Sequence, residues 1–252
     1  MTRHLWLIGI GAGNPDWVTA EAIEAIRQID VLFVVIKEGK YDELVDARRT
    51  LFARYRTTDV RVVELNDPPR PWRKADDYAA AVALWRAQRQ ELWTQALLEH
   101  LEPGQTGGLL VWGDPSLYES TLAIVQSVCH EMDEPPLVRV IPGVSCVHAL
   151  TAAHQICLNR QGRSVTIMPA RLLREGLSEG QDDVVVMLDA QTSFTTITEG
   201  GWDIYWGAYL GTPDEILISG DLSDVADEIV RVRAEAAERK GWMFDTYLLR
   251  RG

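Results

Sequence analysis

Cysteine is scarce in this chain, three residues in 252 (Cys129, Cys146 and Cys157), with no CxxC pair and no His/Cys spacing that would suit a ligand set. Neither a disulfide framework nor a zinc site is suggested, so a reducing, cytoplasmic setting is expected. Basic charge is also short: 25 Lys and Arg stand against 37 Asp and Glu, for a net charge of −12. That balance gives no footprint for nucleic acid or an anionic membrane surface, although local arginine clusters remain compatible with it. Long apolar runs are missing as well. Leu5 to Ile10 follow Arg3 as the core of a signal peptide would, but Gly9, Gly11, Asn14, Pro15 and Asp16 cut the stretch too short for export or for spanning. It reads as a buried first strand. There is no internal repeat, low-complexity tract or long linker.

What is present is a regular alternation. Apolar runs at 5–10, 31–36, 60–65, 108–112 and 137–141 are each followed by an amphipathic stretch, at 19–29, 43–54, 75–101, 117–130 and 146–154. This pattern predicts a mostly parallel sheet with helices on both faces. Within 75–101, Ala81, Leu84, Trp85, Leu92, Leu97 and Leu98 fall near helical spacing, and Pro103-Gly104 ends the run, so one long helix is expected there. Beyond about residue 160 the pattern changes. Strand-like runs at 164–168, 183–188, 204–210 and 215–219 precede a charged helix at 222–239 and a last strand at 242–249. The expectation is a two-domain α/β chain, an N-terminal domain at 1–142 and a mixed α/β domain at 143–252, with a cleft between them.

Three loops end the first, fourth and fifth apolar runs: Gly-Ile-Gly-Ala-Gly-Asn-Pro at 9–15, Trp-Gly-Asp-Pro-Ser-Leu-Tyr at 112–118 and Pro-Gly-Val-Ser-Cys at 142–146. Gly9, Gly11 and Gly13 suggest a dinucleotide fingerprint, but Asn14 and Pro15 fill the place of its last glycine, and Asp30 precedes the second strand instead of ending it. Glycines that only allow a tight turn would explain that loop equally well. Gly113-Asp114-Pro115 forces an abrupt turn whose backbone groups cannot pair in a ladder and are open to a ligand. Asp114 could accept from a ribose hydroxyl or an ammonium group, or simply cap a helix starting near Ser116. Ser145 could cap the helix after the third loop.

Taken together, in this order and at these distances, the three loops resemble those of the tetrapyrrole methylase family. Met187, at the end of a Val-Val-Val run, and the turn Gly211-Thr212-Pro213-Asp214-Glu215 extend the resemblance over nearly the whole chain. Ala12 and Asn14 depart from the family's proline and aspartate in the first loop. No clean copy of the Thr-His-Arg segment of uroporphyrinogen methylases occurs between Gln155 and Ser164. What the resemblance implies is a two-domain fold and S-adenosylmethionine as methyl donor. It makes Gly11, Trp112, Gly113, Asp114, Leu117, Tyr118, Ser145, Cys146, Met187, Gly211 and Thr212 the donor-site candidates, and it implies a homodimer. Val184 to Met187 and the 204–210 strand are apolar enough to form the dimer contact.

Chain length, the Arg/Trp-rich stretch from Pro71 to His100 and the ending Gly241-Trp242-Met243-Phe244-Asp245-Thr246-Tyr247-Leu248-Leu249-Arg250-Arg251 most resemble one branch of the family, and that resemblance implies action on precorrin-5. That branch methylates ring carbon C-1 and releases an acetyl group as acetate. The implied substrate is a macrocycle rimmed with carboxylates, for which Arg70, Arg73, Lys74, Arg160, Arg163 and Arg171 are candidate partners. Trp17 and Trp112 are candidates for contact with its flat face. Asp16, Asp114, His148 and Asp245 are candidate general bases for deacetylation. Two other readings stay open: a methylase of the same fold acting on another precorrin, on diphthine or on ribosomal RNA, and a ligand-binding module without catalysis.

Overall fold

The structure is a computed structural model that describes residues 1–36, 42–56, 58–69 and 77–252, apart from the side chains of 42–47 and 78. Arg70, Trp72, Arg73 and Lys74 lie outside the described residues. Two compact units are formed: Met1–Gly11 with Pro15–Val144, and Ala12–Asn14 with Ser145–Gly252. The division after Val144 falls two residues beyond the expected one, and the return of Ala12–Asn14 to the second unit carries no signal in the sequence.

The first unit is built on β1 (His4–Gly9), β2 (Val31–Ile36), β3 (Arg61–Asn66), β4 (Thr106–Val111) and β5 (Leu137–Ile141), all parallel, in the order β3-β2-β4-β1-β5. Helices α1 (Ala20–Gln28), α2 (Asp42–Tyr55), α3 (Tyr78–His100) and α4 (Thr121–Glu131) connect them. Strands covered on both faces need apolar side chains at every position, which is why Val31 to Val34 are all buried without alternation. One face packs Leu5, Leu7, Phe33 and Leu109 against Trp93 and Leu97 of α3, and the other packs Ile8, Leu32 and Leu110 against Ala22 and Ile26 of α1. Thr19 caps α1 by accepting from the Ala22 amide, and Asp77 caps α3 by accepting from Ala80. Helix α4 starts at Thr121, whose amide and hydroxyl both donate to Glu119 Oε1. No helix begins near Ser116, so the capping role considered for Asp114 does not exist.

The second unit pairs β6 (Thr166–Pro169), β7 (Asp183–Met187), β8 (Trp202–Ala208), β9 (Ile216–Asp221) and β10 (Asp245–Arg251) in the order β6-β7-β10-β8-β9. Only β6 and β7 are parallel. Helices α5 (Cys146–Ala153), α6 (Ala170–Leu173) and α7 (Leu222–Lys240) complete it, and α7 stops at Gly241 in the left-handed conformation. Val184, Val185, Val186, Ile204 and Trp206 have no exposed surface. The dimer contact expected from these two strands is not open to them, because these side chains have no surface left for a partner and Val184, Val186, Ile204 and Trp206 fill this unit's own core. Among the described residues no helix is long and apolar enough to cross a membrane.

Candidate functional site

The sheet order of the first unit makes β4, β1 and β5 neighbours, so the loops that follow them leave the same carboxyl edge side by side, where open α/β sheets bind ligands. These are the three loops singled out in the sequence. Gly11 and Gly113 form an antiparallel bridge, the Gly113 amide donating to the Gly11 carbonyl at 2.8 Å and the Gly11 amide to Gly113 at 3.3 Å. Both residues stand at positive φ, +80° and +71°, where only glycine is relaxed. The third loop is fastened to the second by Asp114: one carboxylate oxygen accepts from the Gly143 amide at 2.9 Å, while the other accepts from the Ser116 amide at 2.8 Å and from its hydroxyl. Gly143 in turn lies so close to Gly9 that a Cβ on Gly9 would stand 2.6 Å from the Gly143 nitrogen. Three separate loops are thus one clasp of backbone against backbone.

Above this clasp the second loop is open. No atom lies within 4 Å of where a Cβ on Gly113 would stand. Trp112 and Leu117 are half-buried, Trp112 packing on the side of Ile8 and Leu32, and Tyr118 is exposed at φ +49°. Trp17 ends a single 3-10 turn (Pro15–Trp17), half-buried beside Gly11. Asp16 makes an exposed ion pair with Arg54 at 2.6 Å.

In the second unit, Ser145 caps α5: its hydroxyl accepts from the His148 amide and lies 2.9 Å from His148 Nδ1. His148 is exposed, and its Nε2 has no partner among the described residues. Cys146, at the first position of the helix, has its thiol pushed up to about 11 by burial, partly offset by the backbone amides of Cys146 and Val147. That thiol is neutral at physiological pH. Met187 is the last residue of β7 and is buried. The Gly211 amide donates to Glu215 at 2.7 Å, the Thr212 hydroxyl donates to the Tyr209 carbonyl at 2.7 Å, and a Cβ on Gly13 would lie 2.6 Å from the Leu210 carbonyl oxygen. The first loop's tip is therefore packed on this turn.

Several charged candidates are committed elsewhere. Asp183 is fully buried and takes Arg160 Nε on one oxygen at 3.0 Å and Arg250 Nε on the other at 2.6 Å. Arg163 faces Asp182 at 3.6 Å. Asp245 is buried and accepts from Arg233 at 2.8 Å and from Trp206 Nε1 at 3.0 Å; burial pushes its carboxyl up, and these donors pull it back. A carboxylate so enclosed does not reach an outside water, which argues against Asp245 as a general base. Arg171, by contrast, is exposed and has no ion-pair partner among the described residues. Sequence reasoning missed Arg174, Leu188 and Asp189, which surround Arg171 in a depression of about 200 Å³. Their only sequence signal is position, just after β6 and β7.

A family model, Tetrapyrrole (Corrin/Porphyrin) Methylases, matches residues 4–226. The chain is 43% identical over 251 residues, 99% of its own length and 96% of the relative's, to a precorrin-6A synthase [deacetylating] of Sinorhizobium sp. Its structure superimposes with a TM-score of 0.85 at 30% identity, covering 100% of this chain and 99% of the other, on a candidate cobalamin synthesis related protein (CobF) of Corynebacterium diphtheriae. A uroporphyrin-III C-methyl transferase of Thermus thermophilus, solved in complex with S-adenyl homocysteine, shares the fold with a TM-score of 0.62 at 17% identity over 98% of this chain and 96% of that one.

Proposed function

The chain belongs to the tetrapyrrole (corrin/porphyrin) methylases, and from that membership we propose that it is the S-adenosylmethionine-dependent enzyme that methylates precorrin-5 at C-1 and releases acetate, giving precorrin-6A. The observation that carries this reading is the 43% identity, sustained over 99% of the chain, to a relative named for that deacetylating synthase.

Bound S-adenosylmethionine supplies an electrophilic methyl group on a sulfonium. The residues present fit such a donor in two ways. The backbone clasp leaves open space over Gly113, which a side chain would fill. The Cys146 thiol, a donor-contact candidate, is held neutral and so does not compete for the methyl group. In this reading Gly11, Trp112, Gly113, Leu117 and Tyr118 hold the donor largely through backbone, and Asp114 acts as a positioning residue that fixes the second loop to the third. Ser145, Cys146, Met187, Gly211 and Thr212 are the second unit's candidates, each tested by its own substitution. Trp17 and Trp112 remain the candidates for the ring face.

Deacetylation needs water added to the acetyl carbonyl, with its proton taken by a base. The carbon–carbon bond then breaks with its electron pair left on C-1 and acetate departs; C-1 would take the donor's methyl group as the sulfonium S–C bond breaks, with S-adenosylhomocysteine as the leaving group. Of the four candidate bases, Asp16 and Asp245 are ion-paired and Asp114 is spent on the clasp. His148 is the base this reading favours. In the tautomer that donates Nδ1–H to Ser145, its exposed Nε2 keeps a lone pair. A cytoplasmic location and a homodimer belong to the same proposal, and light scattering tests the second.

Calorimetry with S-adenosylmethionine, then mass spectrometry of precorrin-5 incubated with enzyme and donor, tests the whole. One methyl gained and one acetate released is the expected result. Methylation with the acetyl group retained would overturn the deacetylating assignment and leave the family alone, and His148→Gln with unchanged acetate release would remove His148.

A further inference from the structure

Leu188, immediately after β7, stands at φ +58° with 65% of its surface exposed. A branched side chain in the left-handed region is strained, and a large apolar group held in water adds a second cost. The loop is kept there by its neighbour. Asp189 is buried: one oxygen accepts from the Gln191 amide at 2.9 Å and the Ser193 hydroxyl at 3.0 Å. The other accepts from the Ser193 amide at 2.5 Å and the Tyr247 hydroxyl at 2.8 Å, and its carbonyl accepts from Arg233. Strain that is so over-determined marks a surface preorganised for a ligand.

That surface borders the depression described above, lined by Pro169, Arg171, Arg174, Leu188, Asp189 and Gln191 among others. Arg171 and Arg174 are exposed, lie one helical turn apart, and meet no carboxylate within ion-pair range among the described residues; Arg174 donates to the Gln191 side-chain oxygen. The one carboxylate in the lining, on Asp189, has its oxygens occupied by the donors just named, so it does not neutralise them. At about 200 Å³ the depression is smaller than the 300–1,000 Å³ that whole small-molecule ligands occupy. It suits one arm of a larger ligand, with an anionic end for the guanidinium pair and an apolar stem for Leu188.

We propose that this depression is a specificity site that binds a single carboxylate arm of the polycarboxylate macrocycle, Arg171 and Arg174 holding the carboxylate and Leu188 packing on its methylene stem. The macrocycle as ligand rests on the function proposed above, while the site rests on its own geometry.

The test uses Arg171→Gln, Arg174→Gln and the double variant in the full chain. Charge-assisted hydrogen bonds of this kind predict a KM for precorrin-5 raised about tenfold in each single variant, with kcat and the S-adenosylmethionine Kd within twofold of wild type. An unchanged KM in all three would overturn the site while leaving the proposed function standing. Equal loss of donor affinity would overturn it too, by assigning the arginines to the donor. Should the wild-type protein fail to turn over precorrin-5, the proposed function fails, and fluorescence titration with uroporphyrin decides the site alone. Binding weakened about tenfold in the double variant supports it; absent or equal binding refutes it.

Discussion

Replacing Gly143 by alanine tests the clasp on which the candidate site is built. A Cβ there would stand 2.1 Å from the Gly113 carbonyl oxygen, 2.9 Å from the Gly9 carbonyl carbon and 3.0 Å from Gly9 Cα. All three are backbone atoms of two neighbouring loops, so no side chain can rotate away and the loops themselves must part. Gly143 does not occupy the left-handed region, so alanine adds no conformational penalty of its own. Overpacking costs about 1–3 kcal/mol where side chains can adjust, and the upper end, about 3 kcal/mol, applies where backbone must move. In a chain of this size that lowers Tm by about 6–12 °C. The same displacement breaks the Asp114–Gly143 bond and misplaces the loop over which the donor is proposed to lie, so the S-adenosylmethionine Kd should rise at least about tenfold, the worth of one charge-assisted hydrogen bond. Differential scanning calorimetry and isothermal titration give the two numbers. Gly200→Ala is the control, because its Cβ meets nothing within 4 Å. A Tm for Gly143→Ala within 2 °C (about 1 kcal/mol) of that control, with an unchanged Kd, would refute the close approach of the three loops.

Four further outcomes follow from burial and charge. Asp67 and Arg89 form an ion pair at 2.8 Å with side chains 4% and 3% exposed, the guanidinium 4.6 Å from the Trp85 ring, so Asp67→Asn should cost about 3–5 kcal/mol in chemical denaturation, and a loss under 1 kcal/mol would contradict the pair's burial. The Cys146 thiol, raised to about 11 from 9.0, should react with iodoacetamide at pH 8 about a hundredfold more slowly than a free thiol, while exposed Cys157 reacts first. Because the folded state keeps that proton between pH 9 and 11 and the unfolded state releases it, Cys146 should lower stability by about 3 kcal/mol as pH rises through that window, and a Cys146→Ala variant should lack this slope. Asp245→Asn leaves Arg233 buried without a counter-charge and should lower Tm while the pH profile of kcat keeps its shape; a lost limb in that profile would restore Asp245 as a base.

The central strands of the first unit were legible because parallel strands covered on both faces must be apolar throughout, as Val31 to Ile36 and Gly107 to Val111 are, whereas the edge strands β3 and β5 carry Arg61, Glu64 and Arg139. The loops were legible because Gly and Pro punctuate the carboxyl ends of those strands. The same local logic failed where the deciding contact is distant in sequence. Helix α4 starts at 121, not 117: Ser120 is its N-cap, and Glu119 Oε1 takes both Thr121 donors while Asp114 is engaged with Ser116 and Gly143. Ala12–Asn14 joined the second unit because Gly13 packs on the turn at Leu210, nearly two hundred residues later. Nothing in Val184 to Met187 distinguished a core strand from an interface.

The arginines carry the sharpest form of this lesson. Arg160, Arg163 and Arg171 are indistinguishable as candidate carboxylate partners while only their positions are known. Folding separates them through the register of β7 on β10, which sets Arg250 opposite Asp183 and buries that carboxylate at the start of the Val-Val-Val run. One guanidinium satisfies one oxygen, and Arg160 is drawn in to satisfy the other. Freeing Arg160 for a ligand would leave that buried oxygen without its charged donor, which costs part of what a new carboxylate contact would gain. Arg171 and Arg174 line a depression whose one lining acid, Asp189, already accepts from Ser193, Gln191 and Tyr247. In the proposed reading, an acidic protein holds an anionic macrocycle without a basic surface. What matters is which arginines the fold leaves without an internal carboxylate, and that is settled by strand register and burial, not by net charge.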